Sequence, residues 1–157
     1  MITIYTDGSS RGNPGPGGWG AIILRDGDVT EIGGREAHTT NNRMELIATI
    51  KALEQSSESD IELNTDSEYV MKGMKIWIKK WQEKGWKTAN KKPVLNQDLW
   101  KELLSVSEDK KIKWKYVAGH SGVPLNDRAD EIATGFADSV TGGIEPALYH
   151  GPRVKYK

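Results

Sequence analysis

Apolar and polar residues alternate along Ile2-Thr3-Ile4-Tyr5-Thr6-Asp7, the two-residue period of a strand with one buried face. The apolar run from Gly20 to Leu24 and the segment Val29 to Ile32 read as two more strands joined through the turn dipeptide Asp26-Gly27. Three antiparallel strands therefore open the fold. From Asn42 the period changes. Met44, Ile47, Ala48, Ile50 and Leu53 recur at helical spacings as far as Gln55, and Asn42 with Glu45 three residues on has the form of a capping box.

Ile61 to Asp66 alternates as a fourth strand, and Ser67 caps a helical stretch that reads as Glu68 to Met74 and Ile76 to Glu83, broken near Gly73. After a turn-rich basic segment, Leu99 and Leu103 mark a helix over 98–106. Lys111 to Ala118 alternates as a fifth strand with Ile112, Trp114 and Tyr116 inward, and Asn126 caps a last helix to about Asp138. Three strands followed by alternating helix and strand imply an α/β fold: one five-stranded mixed sheet, its first three strands antiparallel, flanked by helices. Residues 1–138 read as a single domain and 139–157 as an extended C-terminal tail. Internal repeats and low-complexity tracts are absent from the sequence.

Composition narrows the function classes. A chain of 157 residues with 36% hydrophobic and 28% charged residues is one ordinary domain, and without cysteine it has no disulfide and no thiolate metal site. No apolar run approaches the ~20 residues that cross a bilayer, and the N-terminus lacks the basic head and apolar stretch of a signal peptide. A cytoplasmic monomer with no membrane association and no obligate protein partner is the expectation. The net charge is zero, yet eight lysines and a single acid, Glu83, fall between Lys72 and Lys92. One compact basic region on an otherwise acidic body suits contact with a polyanion at one place.

Gly15-Pro16-Gly17-Gly18-Trp19-Gly20 satisfies the glycine spacing of a dinucleotide-binding loop, but that motif must open a helix, and here a strand-like run follows. A Gly/Pro-rich loop that turns the chain back on the first strand is the better reading.

The acids have local explanations when taken singly. Asp7-Gly8 can be a turn, Glu45 a capping-box partner, Asp66-Ser67 a helix cap, and Asp130 an acid near a helix start. Their places make them a set. Asp7 and Asp66 end predicted strands, where sites collect on layered sheets, while Glu45 and Asp130 fall near helix starts. Glu45 aligns with Ala48 and Ala52 on the stripe facing the sheet, where an unpaired charge is costly and a bound cation would remove the cost. Convergent carboxylates with no cysteine and few histidines favour Mg²⁺ or Mn²⁺ over zinc. Phosphodiester hydrolysis suits two such ions, held roughly 3.5–4 Å apart, that activate water and neutralise the departing oxygen.

At these residues the sequence resembles type 1 ribonuclease H of the bacterial kind. The matching stretches are Thr6-Asp7-Gly8-Ser9 with Gly12 to Gly18, Thr39 to Leu46, Thr65-Asp66-Ser67, Gly119-His120, and Asn126-Asp127-Arg128-Ala129-Asp130. The resemblance implies an endonuclease that cuts the RNA strand of an RNA–DNA hybrid with two divalent ions, Mg²⁺ or alternatively Mn²⁺, leaving 5′-phosphate and 3′-hydroxyl ends. It implies Asp7, Glu45, Asp66 and Asp130 as metal-binding acids and His120 as the residue that moves protons or helps product leave, a task suited to an imidazole.

The resemblance also assigns a substrate surface. Trp77 to Pro93, within a basic protrusion over about 72–93, would grip DNA phosphates through Lys80, Lys84, Lys87, Lys91 and Lys92. Trp77 and Trp81, neighbours on one helical face, either stack in the core or meet a sugar. Asn13, Asn41 and Asn42 match minor-groove contacts and Thr40 a position near a DNA phosphate, which suits recognition of 2′-hydroxyls and groove shape. Glu68 stands where that family commonly has glutamine, and Ala118 where a lysine often precedes the Gly-His pair. Two other readings share these residues: a related polynucleotidyl transferase or reverse-transcriptase nuclease domain, and a noncatalytic hybrid-binding module.

Overall fold

In the computed structural model of the chain, residues 1–119 and 122–156 are described. Strands β1 (Ile2–Ser10), β2 (Gly15–Arg25) and β3 (Asp28–Thr39) form the expected antiparallel meander, while β4 (Asp60–Thr65) and β5 (Lys111–Tyr116) continue the sheet in parallel on the other side of β1. A sixth short strand, β6 (His150–Pro152), pairs antiparallel with β3, so the order is β5-β4-β1-β2-β3-β6. The sheet thus has six strands where the periodicity suggests five, because a three-residue strand is too short to show a period of two.

Helices cover both faces. Ala21 and Ile23 face a core with Leu46, Ile50 and Leu53 of α1 (Asn41–Glu54) and Trp100 and Leu103 of α4 (Gln97–Ser107). Ile22 and Leu24 face the opposite way, onto Ala129, Ile132 and Phe136 of α5 (Pro124–Ser139). That is why Ala21 to Leu24 is uninterruptedly apolar: each successive residue enters a different core. A side chain on Gly20 would lie 2.7 Å from Ile132 Cβ, so the glycines of β2 let α5 rest on bare backbone. The Gly15 to Gly20 stretch is itself strand, not a loop.

Helix starts differ from the sequence reading. Thr40, not Asn42, caps α1, its Oγ1 accepting from Arg43 N at 3.2 Å. Glu45 is released from a capping role. Helix α5 begins two residues before Asn126, with Pro124 at its start, and Asn126 is buried inside its first turn. Near Gly73 the chain does not break. α2 (Glu68–Lys72) passes through a π-helical turn, Gly73–Trp77, into α3 (Ile78–Glu83), and a side chain on Gly73 would run into the ring of Trp100. Tyr116 is half exposed, not inward, since it ends an edge strand beyond the reach of the helices.

Candidate active site

Parallel pairing of β1 with β4 brings Asp7 and Asp66 to one end of the sheet. Glu45 reaches them from α1, which can approach because residue 8 is glycine: a side chain there would strike the backbone of Met44 and Glu45. Carboxylate oxygens of Asp7, Glu45 and Asp66 all lie within 4.8 Å of one another. Asp7 is 4% and Glu45 5% exposed. The Gly8 amide donates to Asp7 Oδ1 at 2.8 Å and fixes that side chain.

Burial first, then neighbouring negative charge, sets the electrostatics. Asp7 is pushed up to about 8, chiefly by desolvation and next by Asp66. Glu45 is raised well above the usual carboxylate range by desolvation and by Asp7 and Asp66. Asp66 is also raised, mostly by desolvation, against hydrogen bonds with Asp7 and Glu45 that pull it down. Asp130 on α5 stands outside the close group of three oxygens, but its charge acts on both Asp7 and Asp66.

The donor set fits a hard divalent cation. Three carboxylates converge, Glu45 Oε1 is buried without a hydrogen-bond partner, and among the described residues no lysine or arginine forms an ion pair with the cluster. Asp7, Glu45 and Asp66 are the residues that could hold a metal together. His120 lies outside the described residues.

Beside this cluster, Asn13 Oδ1 accepts from Asn41 N at 3.1 Å, which joins the β1–β2 loop to the start of α1. Asn13, Thr40, Asn41 and Asn42 thereby form one polar shoulder. Lys80, Lys84, Lys87, Lys91 and Lys92 are exposed, and none of them has an ion-pair partner among the described residues. Glu68 is exposed and pairs with Lys72 at 3.8 Å.

Trp77 and Trp81 belong to an aromatic cluster. Their ring centroids are 5.8 Å apart, and Trp81 continues to Trp100 at 5.3 Å and Trp86 at 6.2 Å. Both rings are half-buried, so packing is part of their role. The supports of this region were not read from the sequence. Tyr69 Oη accepts from both Trp100 Nε1 and Asn96 Nδ2 at 3.1 Å, and the Arg43 guanidinium forks onto Asp98 at 3.1 and 2.9 Å. Arg43 sits inside the quoted Thr39 to Leu46 motif, but its partner is 55 residues away and carries no local signal.

A mixed sheet with a largely buried carboxylate cluster and an exposed run of lysines has the make-up of a divalent-cation-dependent nuclease. The family model "RNase H" matches residues 1–137. Ribonuclease HI of Caulobacter vibrioides is 55% identical over 133 residues, covering 84% of this chain and 89% of that protein. Ribonuclease H of Pseudomonas fluorescens is 49% identical over 146 residues, 92% of this chain and 97% of the other. Among solved structures, LC9-RNase H1, a type 1 RNase H with the type 2 active-site motif, superposes with a TM-score of 0.80 at 28% identity, covering 99% of this chain and 79% of that one. LC11-RNase H1, solved in complex with an RNA/DNA hybrid, gives 0.69 at 26% identity over 90% of this chain and 100% of that one. The chain belongs to the RNase H family, nucleases that cut the RNA strand of RNA–DNA hybrids from within. Members use divalent metal, and no helix among the described residues is long and apolar enough to cross a membrane.

Proposed function

We propose that this chain, acting as a cytoplasmic monomer, hydrolyses the RNA strand of RNA–DNA hybrids with two divalent cations held by Asp7, Glu45, Asp66 and Asp130. Mg²⁺ is the first choice and Mn²⁺ the alternative, and the products carry 5′-phosphate and 3′-hydroxyl ends. The single observation that carries the reading is the group of three carboxylates within 4.8 Å, two of them almost wholly buried and none neutralised by a basic side chain among the described residues. When bound, the cations supply charge neutralisation at the scissile phosphate and a more acidic attacking water.

The chain's own residues do the rest. The Gly8 amide holds the Asp7 carboxylate in one orientation. The shoulder of Asn13, Thr40, Asn41 and Asn42 offers amide and hydroxyl groups to the minor groove and the backbone, where the 2′-hydroxyl distinguishes RNA from DNA. The exposed lysines 80, 84, 87, 91 and 92 grip DNA phosphates, with Trp77 and Trp81 stiffening the protrusion beneath them. His120 is assigned proton movement or product release on the sequence resemblance.

The test incubates labelled RNA–DNA hybrid, duplex DNA and duplex RNA with Mg²⁺, Mn²⁺ or chelator. Cleavage of the hybrid RNA strand alone, lost with chelator, is expected. Hybrid binding without cleavage in either metal would instead make the chain a binding module.

A further inference from the structure

Beyond α5 the chain does not hang free. Arg128, in the second turn of α5, donates from Nε and Nη2 to the Glu31 carboxylate of β3 at 2.7 and 2.9 Å. The Glu31 side chain is 1% exposed. Its Oε1 also accepts from Tyr149 N at 2.8 Å, while Arg128 Nη2 donates a further bond to Ala147 O at 2.9 Å. Glu31 N donates to Tyr149 O at 2.8 Å, and His150 and Gly151 pair with Thr30 and Val29. The buried Glu31 carboxylate, paired with a partly exposed Arg128, is thus flanked by the C-terminal segment, which supplies two of the hydrogen bonds of the pair.

Arg128 stands two residues before Asp130. The entry to α5 has no side-chain cap; Leu125 and Ala129 pack its first turns on the sheet, and Arg128 adds the polar tie there. Among the described residues, the Arg128 fork is the side-chain contact that ties these turns to the sheet by hydrogen bonds.

We propose that Glu31 and Arg128 are positioning residues that use segment 147–152 to hold the α5 turn carrying Asp130 against Asp7, Glu45 and Asp66. The proposal rests on the reading of Asp130 as a metal-binding acid. A released turn would carry Asp130 away from the other three carboxylates and weaken the site for cations without touching the hybrid-binding surface.

The experiment compares Glu31→Gln and Arg128→Lys in the full chain, each alone and with Asp130→Asn. Mn²⁺ binding without substrate is followed by calorimetry, and kcat and KM on a hybrid are measured at saturating Mg²⁺. Either single variant should weaken Mn²⁺ binding by about tenfold, the scale of losing an outer support of a metal site, with KM held within about twofold. In the Asp130→Asn background the same changes should add nothing. Unchanged Mn²⁺ affinity with a lowered Tm, or equal weakening with Asp130→Asn present, would overturn the proposal and leave the latch a purely structural device. Absence of hybrid cleavage by the parent chain would count against the proposed function, while the Mn²⁺ titration still decides on the latch.

Discussion

Asp7, still within β1, and Asp66, just past the end of β4, stand side by side because the residues before them, Thr6 and Thr65, are partners in the parallel register. Paired residues 59 positions apart in sequence thus deliver like charges to one point. Repulsion and burial together make the cluster a liability to stability on its own and an asset to cation binding.

Asp7→Asn tests this directly. Cleavage should fall by on the order of 10³-fold or more, since a ligand to the reacting centre is lost, while hybrid binding stays measurable. The same variant should melt higher than the parent in chelator, because the folded chain no longer has to keep a proton on a buried carboxyl that the unfolded chain releases. Steady-state kinetics, a binding titration and a thermal melt check the three outcomes.

The pH dependence has a defined sign. Asp7 is raised from the model-peptide range of about 3.8 to about 8, so between those values the folded chain keeps a proton that the unfolded chain releases. Stability without metal should therefore decrease as pH rises from about 4 to 8, and Asp7→Asn should flatten this slope. With Mg²⁺ present the slope should also shrink, and activity should fall in acid, where protons compete with the cation. Denaturant melts across pH, with and without Mg²⁺, measure the effect.

Gly8→Ala should damage both fold and site. The added carbon would meet the backbone of Met44 and Glu45, which cannot move as a flexible side chain can. A loss of about 1–3 kcal/mol and weaker Mn²⁺ binding are expected. Urea melts and calorimetry provide the readout.

Tyr69→Phe removes the acceptor shared by Trp100 Nε1 and Asn96 Nδ2. Trp100 is fully buried, so an unpartnered indole N–H should cost about 1–3 kcal/mol. The protrusion loses a support at its base, so KM for hybrid should rise more than kcat falls.

Lys87→Ala acts on long-range charge alone. It should raise KM, reduce the slope of log affinity against log salt by about 0.9, and leave cleavage-site preference unchanged. Hybrid binding over a salt series reads this out.

Local pattern determined much of this protein. Alternation located β1, β4 and β5, the 3.6-residue period located α1, and the lysine run from Lys72 to Lys92 marked an exposed basic segment. Those signals reside in a few consecutive residues, so the linear chain displays them in full. Asp7, Glu45 and Asp66 were legible as candidates, and the structure groups those three, though Asp7 lies within β1 and not at its end.

Only the tertiary structure decided how these pieces meet. The pairing of Glu31 with Arg128 spans 97 residues, and Arg43 meets Asp98 across 55. No periodicity encodes either contact. Strand β6 is too short to announce itself, and it forms because the edge of β3 and a buried carboxylate offer its backbone hydrogen bonds. The rise of Asp7 to about 8 likewise has no local cause, since it comes from water excluded by packing and from Asp66, which the sheet register places beside it.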